Sequence, residues 1–159
     1  LQGNALFLDL DVVIVDNIDS FFTHPGDFLI IHDWKRPWRI TGNSSVYRFK
    51  LGAFPGLMPY FREHFDEIRQ KFRNEQAYLS WYVDQEKKLS YWPDSWCKSY
   101  KYHCLQKIPL AYFKPPVKPV GVKVIIFHGE INPPDAINGG GGKWYRYVLP
   151  SQWIKDAWQ

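Results

Sequence analysis

The chain has 159 residues, a net charge of +4, and 45% hydrophobic against 23% charged residues. That is about one folded domain with enough apolar chain to bury its own core, which excludes disordered, collagen-like and disulfide-scaffold classes. Aromatic residues reach 18%, more than a small core needs; flat rings of this kind stack on sugars and nucleotides, an aromatic-rich core being the equal alternative.

In chain order, Ala5–Val15 (ALFLDLDVVIV) reads as one strand buried on both faces. A short helical turn follows at Ile18–Phe22, then a turn at His24-Pro25-Gly26-Asp27. Phe28–Ile31 reads as a second strand, Trp34–Trp38 as a loop, and Asn43–Phe49 as a third strand. Over Leu57–Phe72 the pattern turns helical, with Leu57, Tyr60, Phe61, Phe65, Ile68 and Phe72 on one stripe. Glu75–Val83 is a second helix, and Trp92–Pro119, rich in Pro, Lys and Tyr, reads as irregular connections. Val122–Phe127 is another buried strand, ending at His128-Gly129 and a Pro-rich turn. Gly139–Gly142 reads as a flexible loop and Trp153–Trp158 as a terminal helix. Together these predict a single α/β domain over residues 1–159, a mixed sheet flanked by helices.

The surplus positive charge lies late, at Lys98, Lys101, Lys107, Lys114, Lys118 and Lys123. Such a face can meet phosphates or an anionic membrane surface, or be plain solvated surface. No nucleic-acid-binding pattern accompanies it, so nucleic acid is not an expected partner, while peripheral membrane association stays open. Cys97 and Cys104 lack zinc-ligand spacing and read as reduced structural thiols of a cytoplasmic protein. The most apolar run, Leu6–Val15, carries two aspartates and is half the length of a membrane span.

Chemistry concentrates first in Asp9-Leu10-Asp11. Two carboxylates inside a buried strand are costly unless paired or bound to a cation, and at i and i+2 they share a face. Hard oxygen ligands suit Mg²⁺ or Mn²⁺. His128 beyond the end of a strand is placed to complete that shell, since ligands gather at the carboxyl ends of strands in open α/β sheets. Asn74-Glu75-Gln76 opens a helix: Glu75 complements the helix dipole, while the neutral Gln76 suits orienting a substrate better than taking a proton. Each also has a plainer structural reading, as capping, buried pairing or hydrogen-bonding residues.

With these pieces placed, the chain resembles GT-A fold glycosyltransferases, in particular the retaining glycosyltransferase family 8 and its bacterial relatives. Leu6-Phe7-Leu8-Asp9-Leu10-Asp11-Val12 resembles the family's metal-binding DxD strand, and Asn43-Ser44-Ser45-Val46 its donor-contacting Asn-Ser-Gly-Val segment. Glu75-Gln76 resembles its Asp-Gln pair, Phe127-His128-Gly129 with Pro133 its His–Gly–Lys–Pro element, and Trp153-Ile154…Trp158 the tail of many bacterial members. The resemblance implies metal-dependent transfer of a sugar from a nucleotide-sugar donor, UDP-linked, to a saccharide or other hydroxyl acceptor, with retention. It implies Mn²⁺ or Mg²⁺ held by Asp9, Asp11 and His128. Donor contacts fall to Asp9, Asp11, Asn43 and Ser44, catalytic positioning to Gln76 and Glu75, and acceptor stacking to Trp34 and Trp38. Three departures stand out. Asn132 takes the place of the family's leaving-group Lys, with Lys123, Lys143 or another late basic residue as candidates for that role; Ser45 replaces a Gly; and the βαβ nucleotide-binding half that precedes the DxD strand is missing, which together with the non-Met Leu1 reads as a catalytic portion.

Two rivals remain. Asp9-Leu10-Asp11-Val12-Val13-Ile14 also fits the first motif of haloacid dehalogenase-type phosphatases, with Asp9 as nucleophile and Asp11 as acid/base, and Gly129-Glu130…Asp135 echoes their late acidic motif. That reading leaves Asn43–Val46, Glu75-Gln76 and His128 without a role. A non-catalytic sugar-binding remnant is the third class, separated from an enzyme by turnover alone.

Overall fold

The structure, a computed structural model, describes residues 2–140 and 147–158. The expected loop glycines Gly141 and Gly142, and Lys143, lie outside the described residues. The expected mixed α/β architecture is present, as two mixed sheets with flanking helices. The chain gathers into two compact units: Leu1–Leu8 with Asp19–Trp92, and Asp9–Ile18 with Pro93–Gln159.

The first unit is built on a four-stranded sheet of β1 (Asn4–Leu8), β4 (Gly42–Lys50), β3 (Phe28–His32) and β5 (Leu89–Tyr91), in that spatial order. β4 runs antiparallel to both β1 and β3, and β5 lies parallel to β3. Phe28 to Ile31 are all buried, as their unbroken apolar run demands of an inner strand. The helices are α1 (Asp19–Thr23), α2 (Leu57–Glu63), α3 (Phe65–Lys71) and α4 (Glu75–Gln85). The single helix expected over Leu57–Phe72 is therefore two, broken at His64, which closes α2 and opens α3. Phe28, Ile30 and Val83 form a core cluster against Tyr47, Phe49, Phe54 and Leu79.

One charged side chain lies inside this unit. Arg48 on β4 is 1% exposed. Its guanidinium donates to the carbonyls of Phe21 at 2.9 Å, Phe22 at 3.3 Å, His24 at 2.7 Å and also Gly26. These are the last carbonyls of α1 and the turn after it, groups that a short helix leaves without partners. The Trp92 ring lies 5.9 Å from the guanidinium carbon. Arg48 thus ties the α1–β3 connection to the sheet.

The second unit holds a three-stranded sheet, β2 (Val12–Ile14), β7 (Val124–Ile126) and β6 (Cys97–Ser99). β7 is central, antiparallel to β2 and parallel to β6, and wholly buried. α5 (Pro133–Asn138) and α6 (Gln152–Ala157) complete the unit, with a core including Val13, Tyr100, Ile125, Phe127 and Ile154. β6 and the π-helical turn Tyr100–Cys104 occupy a stretch that the sequence reading leaves irregular.

The largest departure concerns the first strand. Ala5–Val15 is not one buried strand but two short ones, β1 and β2, belonging to different sheets. Between them Asp9-Leu10-Asp11 forms a turn, and Leu10 is 95% exposed. The apolar run is continuous in sequence, but two carboxylates at its centre favour hydration over a ladder position, and the chain breaks there.

Candidate functional site

In the first unit the strand β4 and the start of α4 bring four expected residues together. Asn74 caps α4, its side-chain oxygen accepting from Ala77 N at 3.2 Å. The next two residues, Glu75 and Gln76, are therefore held in the first helical turn. Gln76 Oε1 accepts from the backbone N–H of Ser44 at 3.3 Å, and the Ser44 hydroxyl makes long contacts of 3.5 Å to Gln76 Oε1 and Glu75 Oε1. Asn43 Oδ1 accepts from Ser45 N at 3.0 Å. Ser44 is available because the β3–β4 register slips: Ile30 pairs with Tyr47, but Ile31 pairs with Asn43. Such irregularities re-aim side chains out of the ladder.

Gln76 is fixed from a second direction. Ser80, fully buried one turn on, donates to Gln76 O at 2.7 Å and accepts from Gly42 N at 2.9 Å. At Gly42 a Cβ would lie 2.6 Å from the Ile30 side chain, so only glycine allows this approach.

The second unit carries Asp9, Asp11 and His128. Asp9 Oδ1 accepts from Leu10 N at 3.0 Å, which stabilises the turn. The backbone carbonyl of Asp11 accepts from Phe127 N at 2.9 Å, continuing the β2–β7 pairing by one rung. That register sets Asp11 and His128 at the same end of the sheet. Gly129, with φ +91°, turns the chain away immediately afterwards.

Asp11 Oδ1 is buried and has no hydrogen-bond partner. Burial, and then the charge of Asp9, raise the Asp11 carboxyl above its ordinary value, its own backbone N–H offsetting part of this. A paired, under-satisfied set of hard oxygens fits a divalent cation. His128 is engaged elsewhere: its Nε2 lies 2.7 Å from Ser99 Oγ, and its ring is 5.0 Å from that of Tyr102. Among the described residues no group of three or more His, Cys, Asp or Glu side chains is placed to hold a metal ion. The structure thus brings Asp9 and Asp11 into electrostatic contact without gathering them with His128 into a three-ligand set.

Other expected residues have structural roles. Asn132 sits at the N-cap of α5, its N–H donating to Asp135 at 2.9 Å. The carboxylate that echoes a phosphatase motif is therefore engaged in capping. Lys123 donates to Asn17 O at 2.8 Å, and Lys118 to Val15 O at 2.7 Å, so these cations hold the chain that leaves β2. Cys97 and Cys104 are buried thiols outside any disulfide among the described residues, pushed up by burial, Cys104 to about 12. Trp38 is 77% exposed in the loop between β3 and β4.

Sequence reading misses two features. Ser99, the partner of His128, falls in a stretch read as irregular. Four cations from Lys35 to Arg73 that line one cavity are missed because basic residues later in the chain outnumber them. Among the described residues no helix is long and apolar enough to cross a membrane. Compared with known proteins, the chain matches no protein-family profile and has no significant similarity to a curated protein.

Proposed function

We propose that this chain acts as a metal-dependent, GT-A-type glycosyltransferase that moves a sugar from a UDP-sugar to a hydroxyl acceptor, with retention. The observation that carries the reading is the Asp9-Leu10-Asp11 turn, where a buried, unpartnered carboxylate oxygen stands beside a second acid. A divalent cation bound there supplies positive charge to a diphosphate as it leaves. Asp9 and Asp11 are the residues to hold it, with His128 as the further candidate once its Ser99 contact is released. Gln76, held through Ser44 and Ser80, orients the donor sugar, since a neutral amide fixes hydroxyls without competing for protons. Glu75 and Ser44 border the same position, and Asn43 completes it.

The phosphatase reading finds one supporting observation, the raised pKa of Asp11, which suits a proton donor. Calorimetric titration of UDP with Mn²⁺ and then with EDTA separates the two. Metal-dependent UDP binding that Asp9→Ala abolishes supports the transferase. Turnover of a simple phosphate ester without UDP binding would replace it with the phosphatase. In the transferase, Gln76→Ala lowers turnover more than UDP-sugar affinity.

A further inference from the structure

The first unit contains a cavity of about 300 Å³ that includes Gln76 in its wall. Lys35, Arg36, Arg39 and Arg73 line it, together with Asn74, and Asp33 is the sole carboxylate among its lining residues. Among the described residues Arg36, Arg39 and Arg73 form no ion pair. Asp33 Oδ1 accepts from the backbone N–H of Lys35 at 2.9 Å, which shapes the loop. Four cations lining one open concavity repel each other, and a bound anion relieves that repulsion. Arginine forks match phosphate oxygens in pairs, and the amide donors of Asn74 and Gln76 add neutral hydrogen bonds.

The loop that supplies three of these cations also carries Trp38, whose ring is largely exposed. Trp38 adjoins Arg39 in sequence, so the same loop offers an indole face for a sugar and a clamp for a charged substituent. A volume of about 300 Å³ suits a small phosphorylated molecule rather than the run of nucleotides that an extended basic groove tracks.

We propose that this cavity binds the phosphate monoester of a phosphorylated saccharide, with Arg36, Arg39 and Arg73 on the phosphate and Trp38 against the ring. That this saccharide is the acceptor rests on the transferase reading, because Gln76 belongs to both sites. Phosphate recognition itself does not, since it needs neither the Asp9–Asp11 pair nor UDP.

The test is titration of the intact chain, in EDTA and without nucleotide, with glucose 6-phosphate, glucose and inorganic phosphate. Glucose 6-phosphate is expected to bind at least tenfold more tightly than glucose, and more weakly as salt rises. Arg36→Gln combined with Arg73→Gln, both at exposed positions, should reduce that affinity at least tenfold while circular dichroism stays unchanged. Trp38→Ala should weaken glucose 6-phosphate several-fold and leave inorganic phosphate unaffected. Equal affinity for glucose and glucose 6-phosphate, or no loss in the double variant, overturns the proposal. Inorganic phosphate binding as tightly as glucose 6-phosphate, with no effect of Trp38→Ala, overturns the saccharide assignment. Loss of UDP binding in the earlier titration leaves all of these outcomes readable.

Discussion

Replacing Asp11 with Asn tests the cation reading without an assay for turnover. In the metal-free protein the Asp11 carboxyl has a buried oxygen without a partner and faces Asp9, and burial and then the Asp9 charge disfavour its ionised form. Asn leaves a polar atom in the same place, so what the substitution removes is the charge, whose burial without a partner costs roughly 1–3 kcal/mol. Asp11 is half-buried, so solvent screening brings the figure to about 1 kcal/mol. For a chain of this length that corresponds to about 3 °C in Tm. Asp11→Asn is therefore expected to melt about 3 °C higher than the parent in EDTA. The sign follows from linkage. A carboxyl whose pKa is raised on folding binds its proton more readily in the native state, so stability falls as pH rises from the ordinary carboxylate range through the raised value. The advantage of Asp11→Asn should be full above that window and vanish below about pH 4. Adding Mn²⁺ at roughly a hundredfold over its dissociation constant should stabilise the parent by about 2.7 kcal/mol, some 8 °C, and the variant far less. Differential scanning calorimetry at several pH values reads all three effects. A variant that melts below the parent in EDTA would mean that the carboxylate has a protein partner after all. Equal Mn²⁺ shifts in both proteins would remove the pair as the holder of the cation.

Two further expectations concern the scaffold. Arg48→Met keeps length and burial but withdraws donors from four carbonyls, so the chain should lose about 3 kcal/mol or more, read as a lower urea midpoint; an unchanged midpoint would make the guanidinium contacts incidental. Cys97 and Cys104 should stay unreactive toward a thiol reagent at pH 8.5 in the native protein and react together in urea, because burial keeps both protonated well above that pH; rapid native labelling would contradict their placement.

The elements legible in the sequence are those whose apolar pattern coincides with a single environment. Phe28–Ile31 is a continuous apolar run, Val122–Phe127 is apolar apart from Lys123, and both contain inner strands. The Ala5–Val15 run has the same look but passes from one sheet to another, and hydrophobicity alone does not mark a hand-over. The mark was present as Asp9 and Asp11 on either side of an exposed leucine. The Leu57–Phe72 stripe conceals the break at His64, since both short helices keep the same apolar period. The turn Tyr100–Cys104 is π-helical, and a scan for periods of 2 or 3.6 passes over it. Among the site residues, Asn43, Ser44, Glu75 and Gln76 are legible because each pair is a local motif. The basic cavity is not, because Arg73 joins Lys35, Arg36 and Arg39 only after folding.

The placement of Gln76 narrows what the first unit can do. Its backbone carbonyl is held by Ser80, and Ser80 is held by Gly42, so the side chain starts from a fixed point between helix and strand. Its Oε1 is committed to Ser44, while its Nε2 has no hydrogen-bond partner among the described residues. An amide with its acceptor committed and its donor open presents N–H groups only. Beside four cations, it makes a surface that recognises oxygen: sugar hydroxyls, a glycosidic oxygen or a phosphate. Such a surface can hold and orient a substrate, and it stabilises negative charge as that charge develops. It cannot accept a proton. The carboxylate next to it in sequence, that of Glu75, is exposed and contacts the Ser44 hydroxyl at 3.5 Å. If Glu75 takes a proton during turnover, Glu75→Gln should lower turnover at every pH and remove the acidic limb of its pH profile. If instead Glu75 only complements the start of α4, the same variant should lower Tm slightly and leave the profile in place.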